Sequence, residues 1–248
     1  MQQPQQQAGF MQPMDQKKNP EIARFSFASG GDIDWRFISL EEGTELQGDI
    51  PKDSKGNILG TSGVTIGSGL DLSKQTEDRL RKMGISEKLI TRFKPYLGLV
   101  GSDAQKAIDN SPLTISESEN EAMMPKVQRH YINQIRNTYE KTRQGLLESE
   151  RGKSWEQLTP AQRTVITSVG YQHGPNFLTK DKKPMNFIKE AAQNKWPKLL
   201  ENLRDFKDKY PSRRNREANY LEMDMSPEIP SNPALFLDPT TEKTMYNI

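Results

Sequence analysis

The sequence predicts an α+β fold, with a small β-hairpin lobe, a larger helical lobe, and extended N- and C-terminal arms. Three observations lead to this. From Gly43 to Asp71 the chain is dense in turn formers, as short strands joined by tight connections require. Beyond Leu72, apolar residues recur at spacings of three and four between cap and stop residues, which is the helical period. Both ends carry many prolines or glutamines and few apolar anchors.

In chain order, residues 1–30 are rich in Gln, Met and Pro and have almost no β-branched residues. Such a mixture buries too little apolar surface to offset the entropy of ordering, so an N-terminal arm without structure of its own is expected. In DIDWRFISLEE, Trp35, Ile38 and Phe37 fall on one side of a short helix that Gly43 stops, so Glu42 is its last residue. SKGN, Ser54–Asn57, is the expected hairpin tip. After Asp71, Leu72, Leu80 and Met83 precede Gly84, and Leu89, Ile90, Phe93 and Leu97 precede Gly98. Ser116 and Glu119 form a capping box; Met124, Val127, Tyr131, Ile135 and Tyr139 follow on one face of the longest helix, expected to start near Pro125. Thr159, Pro160 and Gln162 mark another start as cap, first-turn proline and box partner, ahead of Val165, Ile166 and Val169, with a stop at Gly174. Two more helices are expected, around Leu199, Leu200, Leu203 and Phe206, and from Ser212 through Tyr220. Lys180, Lys182 and Lys183 read as a solvated loop. The last segment, 226–248, contains four prolines and reads as a second arm, with Ala234–Leu237 either an anchor or packed back on the domain. The expected organisation is therefore arm 1–30, folded body 31–225 and arm 226–248.

Composition narrows the function classes. Lys and Arg number 35 against 33 Asp and Glu, a balance that argues against holding nucleic acid by bulk charge. The absence of cysteine excludes disulfides, thiolate metal sites and cysteine nucleophiles, and two histidines make a multi-histidine metal centre a poor reading; no cofactor is expected. With 33% hydrophobic residues and a mean hydropathy of -0.85, no segment approaches the roughly 18 apolar residues of a membrane helix. The first twenty residues lack the basic start and apolar run of a signal peptide. Neither a membrane nor a nucleic acid is expected as partner.

The chemistry-bearing stretch is SGVTIGSGLDL, Ser62–Leu72. A helix ending in Glu42, a glycine-rich hairpin and Asp71 at the mouth of the next helix set two carboxylates at opposite helix poles. The negative C-terminal pole disfavours an ionised Glu42; the positive N-terminal pole favours a charged Asp71. One acid and one base is what glycoside hydrolysis requires: a proton for the leaving oxygen and a carboxylate to activate water or attack. Thr65 stands ready to share that water, and Gly63, Gly67 and Gly69 leave room for a sugar near the backbone. Acidic residues at helix ends are also ordinary caps, so the pattern by itself leaves both readings open.

ISLEEG followed by SGVTIGSGLDL resembles the pesticin-type branch of the phage lysozyme family, whose members carry a Glu, then a Thr, then an Asp within a segment of the form SGVTIGxGxDL. Those positions are Glu42, Thr65 and Asp71 here. The resemblance extends weakly over residues 33–223, through WEQLTPAQRTVITSVGYQHG and SRRNREANYL. It implies a phage-lysozyme-like fold and a muramidase that cuts peptidoglycan between N-acetylmuramic acid and N-acetylglucosamine, with Glu42 as general acid, Asp71 as base or charge stabiliser and Thr65 as orienter of water. The doublet Glu41–Glu42 and nearby Glu45 offer other acids, but Glu41 lies about 100° around the helix and Glu45 beyond the glycine. Long arms depart from the core family and point to attachment to a larger assembly such as a phage tail or ejection apparatus, hence to a virion or a host-cytoplasm location before the wall is reached. The rival reading is a structural virion protein that keeps the fold as a docking module.

Further candidates are weighed beside these. Ser62, Gly63, Tyr171 and Gln172 are expected to face the substrate. Arg213, with Arg214 and Arg216, either holds acidic stem peptides, braces Glu42, or forms a solvated helix face. His173 reads as a capping or packing group, and Trp155 and Trp196 as core.

Overall fold

The computed structural model describes residues 33–42, 45–52, 55–58, 62–177 and 182–225, and of 40–42 the backbone only. Both expected arms, Ala234–Leu237, Ser54 and Lys180 lie outside the described residues. What is described is the expected α+β architecture of a small antiparallel sheet and a larger helical assembly.

Helix α1 (Trp35–Glu42) begins where Asp34 caps it, its Oδ1 accepting from the Phe37 amide at 3.0 Å. Asp34 also pins the helix to later elements: its own amide donates to Thr164 Oγ1 at 2.9 Å, and its Oδ2 accepts from the Tyr220 hydroxyl at 3.1 Å. Strand β1 (Glu45–Asp49) follows, then β2 (Thr65–Gly67) and β3 (Leu70–Asp71), in the order β1-β2-β3. The expected tip before Asn57 is bracketed by an antiparallel bridge between Lys52 and Ile58. Pairing of β1 with β2 runs from Glu45 opposite Gly67 to Asp49 opposite Thr65, with an irregularity between. In the β2–β3 hairpin, Thr65 lies opposite Asp71 and Ile66 opposite Leu70. The turn demands left-handed backbone, with φ of 64° at Gly67 and 91° at Gly69, which only glycine adopts without strain.

Helices α2 (Glu77–Met83) and α3 (Glu87–Phe93) are started by the Thr76 and Ser86 side chains, and α2 is stopped by Gly84 at φ 84°. Helix α4 (Gly101–Asn110) is an element that the sequence reading did not single out. Its signal is faint because Ala104 is its fully buried residue and no large apolar stripe marks it. The longest helix, α5 (Glu117–Gln144), starts at the Ser116–Glu119 capping box and runs through Pro125, not from it. Packing of Met123, Met124 and Val127 outweighs the roughly 3 kcal/mol that an internal proline opposes to a helix. Helix α6 (Pro160–His173) follows its Thr159–Gln162 capping box as expected.

Three helices, not two, complete the body: α7 (Lys183–Ala192), α8 (Trp196–Arg204) and α9 (Pro211–Met225). The loop expected at the lysines is corrected at Lys183, which opens α7 with Pro184 in the first turn while Phe187, Ile188, Ala191 and Ala192 are buried. The Lys183 ammonium donates to the Asp205 carbonyl oxygen. Trp155 and Trp196 lie in the core at 5% and 6% exposure.

Two hydrophobic clusters result. One lies under the sheet and includes Ile50, Val64, Ile66, Leu70 and Phe93; the other lies among the later helices and includes Val165, Val169, Phe187 and Leu203. Helix α5 belongs to both, with Met123, Met124 and Val127 in the first and Ile135 and Tyr139 in the second. It is the beam that joins the lobes.

Candidate functional site

The hairpin of β2 and β3 brings two of the expected residues together. Directly opposite residues on antiparallel strands point to the same face with Cβ atoms about 4.5–5.5 Å apart, so the pairing of Thr65 with Asp71 sets a hydroxyl beside a carboxylate. Both side chains are half-buried. Asp71 caps the short 3-10 helix Leu72–Lys74: its Oδ1 accepts from the Ser73 amide at 3.0 Å and the Ser73 hydroxyl at 2.6 Å. Its Oδ2 pairs with the exposed Lys74 ammonium at 2.9 Å. One carboxylate oxygen is thus held by the Ser73 amide and hydroxyl, while the other meets an exposed lysine at the surface.

Glu42 closes α1, and three residues later β1 begins opposite Gly67. The end of α1 and the hairpin bearing Thr65 and Asp71 are therefore linked through β1, while α1 itself packs through Ile38 on the helical-lobe cluster. The Glu42 side chain lies outside what the structure describes.

The room expected beside two of the glycines is filled by the protein. A Cβ at Gly63 would stand 2.4 Å from the Ser73 Cβ and 2.5 Å from the Leu99 carbonyl oxygen. At Gly67 it would meet Asn120 Oδ1 at 2.8 Å and Met124 Sδ at 3.0 Å. Gly63 admits Ser73, which then reaches Asp71; Gly67 admits the start of α5. Ser62, half-buried, holds the Gly101 amide through its carbonyl at 2.9 Å. Ser73 was missed by the sequence reading, although its place two residues after Asp71 is the ordinary position for an Asx-type contact.

Tyr171, Gln172 and Arg213 gather on the helical side. The Tyr171 hydroxyl donates to the Ser68 carbonyl oxygen at 2.8 Å. Gln172 accepts from Arg214. Arg213 borders a groove of about 520 Å³ with Gln172, Lys209, Tyr210 and Arg216, but its guanidinium turns inward. It donates through Nε to Glu217 Oε1 at 3.2 Å and through Nη2 to the Ser168 carbonyl at 2.9 Å and hydroxyl at 3.1 Å. The solvated-face reading of this cluster is overturned for Arg213 and Arg214, which are 6% and 1% exposed.

These arginines surround Glu217, a buried carboxylate that sequence reasoning did not single out. Arg214 donates to Glu217 and to Asp208 Oδ2, the latter at 2.8 Å, and lies 4.7 Å over the Phe206 ring. The Ser168 hydroxyl donates to Glu217 Oε1 at 2.5 Å. Burial pushes the Glu217 carboxyl up, against the pull of Arg214 and Arg213. The only early signal was an i,i+4 Arg–Glu spacing, which usually marks a helix surface.

His173 packs as expected, its ring 5.5 Å from Phe206. Its Nε2 lies 3.2 Å from Arg214 Nη2, which donates to it, and 3.4 Å from Asp208 Oδ2. Burial, and then Arg214, hold its pKa below the ordinary histidine value; burial and Arg79 do the same for His130. Depressed folded values mean that the unfolded chain binds more protons below about pH 6.5. Stability is therefore full above that pH and is lost as pH falls through the folded values. Thermal melts from pH 7 to 5 are expected to show a falling midpoint, less steep in His173→Gln; an equal slope in both proteins would contradict the assignment.

Among the described residues, no group of three or more His, Cys, Asp or Glu is arranged to hold a metal, and no helix is long and apolar enough to cross a membrane. A family model described as "Pesticin: Bacterial toxin homologue of phage lysozyme, C-term" matches residues 32–197. No curated protein matches the chain.

Proposed function

Because the chain belongs to the pesticin family of phage-lysozyme homologues, which spans its sheet lobe and most of its helical lobe, we propose that it is a peptidoglycan muramidase. The observation that carries the reading is the cross-strand pairing of Thr65 with Asp71, one strand away from the element that Glu42 precedes. Glu42, at the negative pole of its helix, gives its proton to the leaving glycosidic oxygen as the bond from C1 breaks. A water held between the Thr65 hydroxyl and Asp71 attacks C1 from the opposite face, and its proton passes to Asp71. The product sugar is inverted.

Around this centre we assign sugar contacts to Ser62 and Gln172. The groove bordered by Gln172, Lys209, Arg213 and Arg216 carries the exposed cationic side chains of Lys209 and Arg216 and no carboxylate among its described lining, which suits acidic stem peptides. Residues 1–30 and 226–248 are assigned to attachment, to a phage tail or another virion protein.

Purified protein in a gel of embedded cell wall, with mass spectrometry of the fragments, tests the activity. New reducing sugar ends mean a glycosidase, free stem peptides mean an amidase or peptidase, and no product means a docking module that has lost turnover. Stereochemistry tests the role of Thr65. An inverting enzyme keeps about 6.5–9.5 Å between its carboxyl groups to admit water, whereas a retaining one uses about 5–5.5 Å to bond the sugar. A hydroxyl beside Asp71 favours water over a covalent ester. NMR of the anomeric protons in the first minutes is expected to show the α-anomer, and Thr65→Ala to slow the reaction by up to about 10²-fold with the same outcome. A β-anomer first, or a glycosyl adduct on Asp71, overturns this.

A further inference from the structure

Tyr171 belongs to neither hydrophobic cluster. Its hydroxyl donates to the Ser68 carbonyl oxygen across a sequence separation of 103 residues. Ser68 is at the tip of the β2–β3 hairpin, which carries Thr65 on one strand and Asp71 on the other. The Tyr171 ring meets Tyr131 of α5 at 4.9 Å between centroids and, edge on, Trp35 at 6.1 Å. Trp35 is the first residue of the helix that Glu42 closes. One side chain on α6 therefore touches the acid-bearing helix, the beam between the lobes and the base-bearing hairpin. Its own helix is a firm base, buried from Thr164 through Gly170.

We propose that Tyr171 is a positioning residue, a latch from the helical lobe to the hairpin that fixes the separation between Glu42 and the Thr65–Asp71 pair. The kinetic part of this proposal rests on the muramidase reading; the mechanical part does not. Both lobes share α5, and a long helix joining two cores permits bending of one lobe against the other. A neutral hydrogen bond across that joint shifts an open–closed equilibrium by about fivefold. In-line displacement is sensitive to such drift, since a misplacement of about 1 Å costs up to 10²-fold in rate. The main-chain acceptor at Ser68 makes the tie independent of the side chain at that position, so the hydroxyl of Tyr171 is the group to remove.

The chain has no cysteine, so spin labels at Lys106→Cys and Lys198→Cys report on the two lobes without background. Both positions are exposed, at 73% and 63%, one on α4 and the other on α8. Tyr171→Phe keeps the ring contacts with Trp35 and Tyr131 and removes the latch. The interspin distance distribution is expected to broaden toward longer distances, with kcat on soluble glycan chains down about five- to tenfold and KM within about twofold. Replacement of Tyr171 by 4-aminophenylalanine, which restores a donor, is expected to return both. An unchanged distance distribution in Tyr171→Phe overturns the latch, as does a raised KM at constant kcat, the signature of a plain sugar contact. Should the parent protein cleave no wall at all, the muramidase reading fails and the spin-label distances still decide the latch.

Discussion

Glu42→Gln is expected to abolish wall cleavage and leave the thermal midpoint nearly unchanged. Loss of a general acid costs on the order of 10²–10⁴ in rate, because the leaving oxygen must depart without its proton. The substitution keeps the size and the helix-end position of the side chain, so packing contributes little to the difference. The neighbouring carboxylates are the controls. Glu41 is the preceding residue of the same helix, about 100° around its axis, and Glu45 is an exposed residue at the start of β1. Wild-type turnover by Glu42→Gln, combined with a dead Glu41→Gln or Glu45→Gln, would reassign the acid.

Glu217→Ala is expected to be the most destabilising single change in the helical lobe. It removes a fully buried carboxylate shared by Arg213, Arg214 and the Ser168 hydroxyl, and α9 meets α6 through that group. Breaking a buried ion pair by deleting one partner costs about 3–5 kcal/mol, because the two guanidinium groups stay behind desolvated without the Glu217 carboxylate, Arg214 keeping its bond to Asp208 as a carboxylate contact. For a chain of this size the thermal midpoint should fall by on the order of 10 °C, as read by calorimetry. Glu217→Gln keeps the hydrogen bond from Ser168 but not the charge, and should recover a minor part. A midpoint within 2 °C of the parent in Glu217→Ala, with the cooperativity of the transition intact, would mean that the network contributes little, as roughly expected only of exposed pairs.

Several elements were legible beforehand because their causes are local. The capping boxes at Ser116 and Thr159 act over three residues; the one at Thr159 starts its helix where expected, and the one at Ser116 starts α5 ahead of the Pro125 start that was expected. Gly84 ends α2 through its own backbone freedom. The segment from Thr65 to Asp71 carries a turn that only glycine accepts, and this turn folds Thr65 back onto Asp71. Where the causes were not local, the reading missed. Helix α4 has a weak apolar stripe and is held by the face it presents to the sheet-lobe core. The proline in α5 is a local breaker that packing overrides. The lysines before α7 read as solvent-facing, yet Pro184 begins a helix whose other face is buried.

By itself, then, the sequence determined the α+β class, the helix start at Thr159, the stops at Gly84 and Gly174, the family resemblance and the glycine turn between Thr65 and Asp71, since each is set by residues within a few positions of one another. Only the tertiary structure decided which charged and small residues face inward. Arg213, Arg214 and Glu217 form an ordinary charged run until Ser168 and Asp208 close around them, and Gly63 looks like an opening until Ser73 and Leu99 fill it. Tyr171 is one more aromatic on a helix until the hairpin tip, 103 residues away, arrives at its hydroxyl. The physical reason is the same in each case: burial is a property of partners brought from far along the chain, and a charge, a hydroxyl or a missing Cβ takes its meaning from what surrounds it.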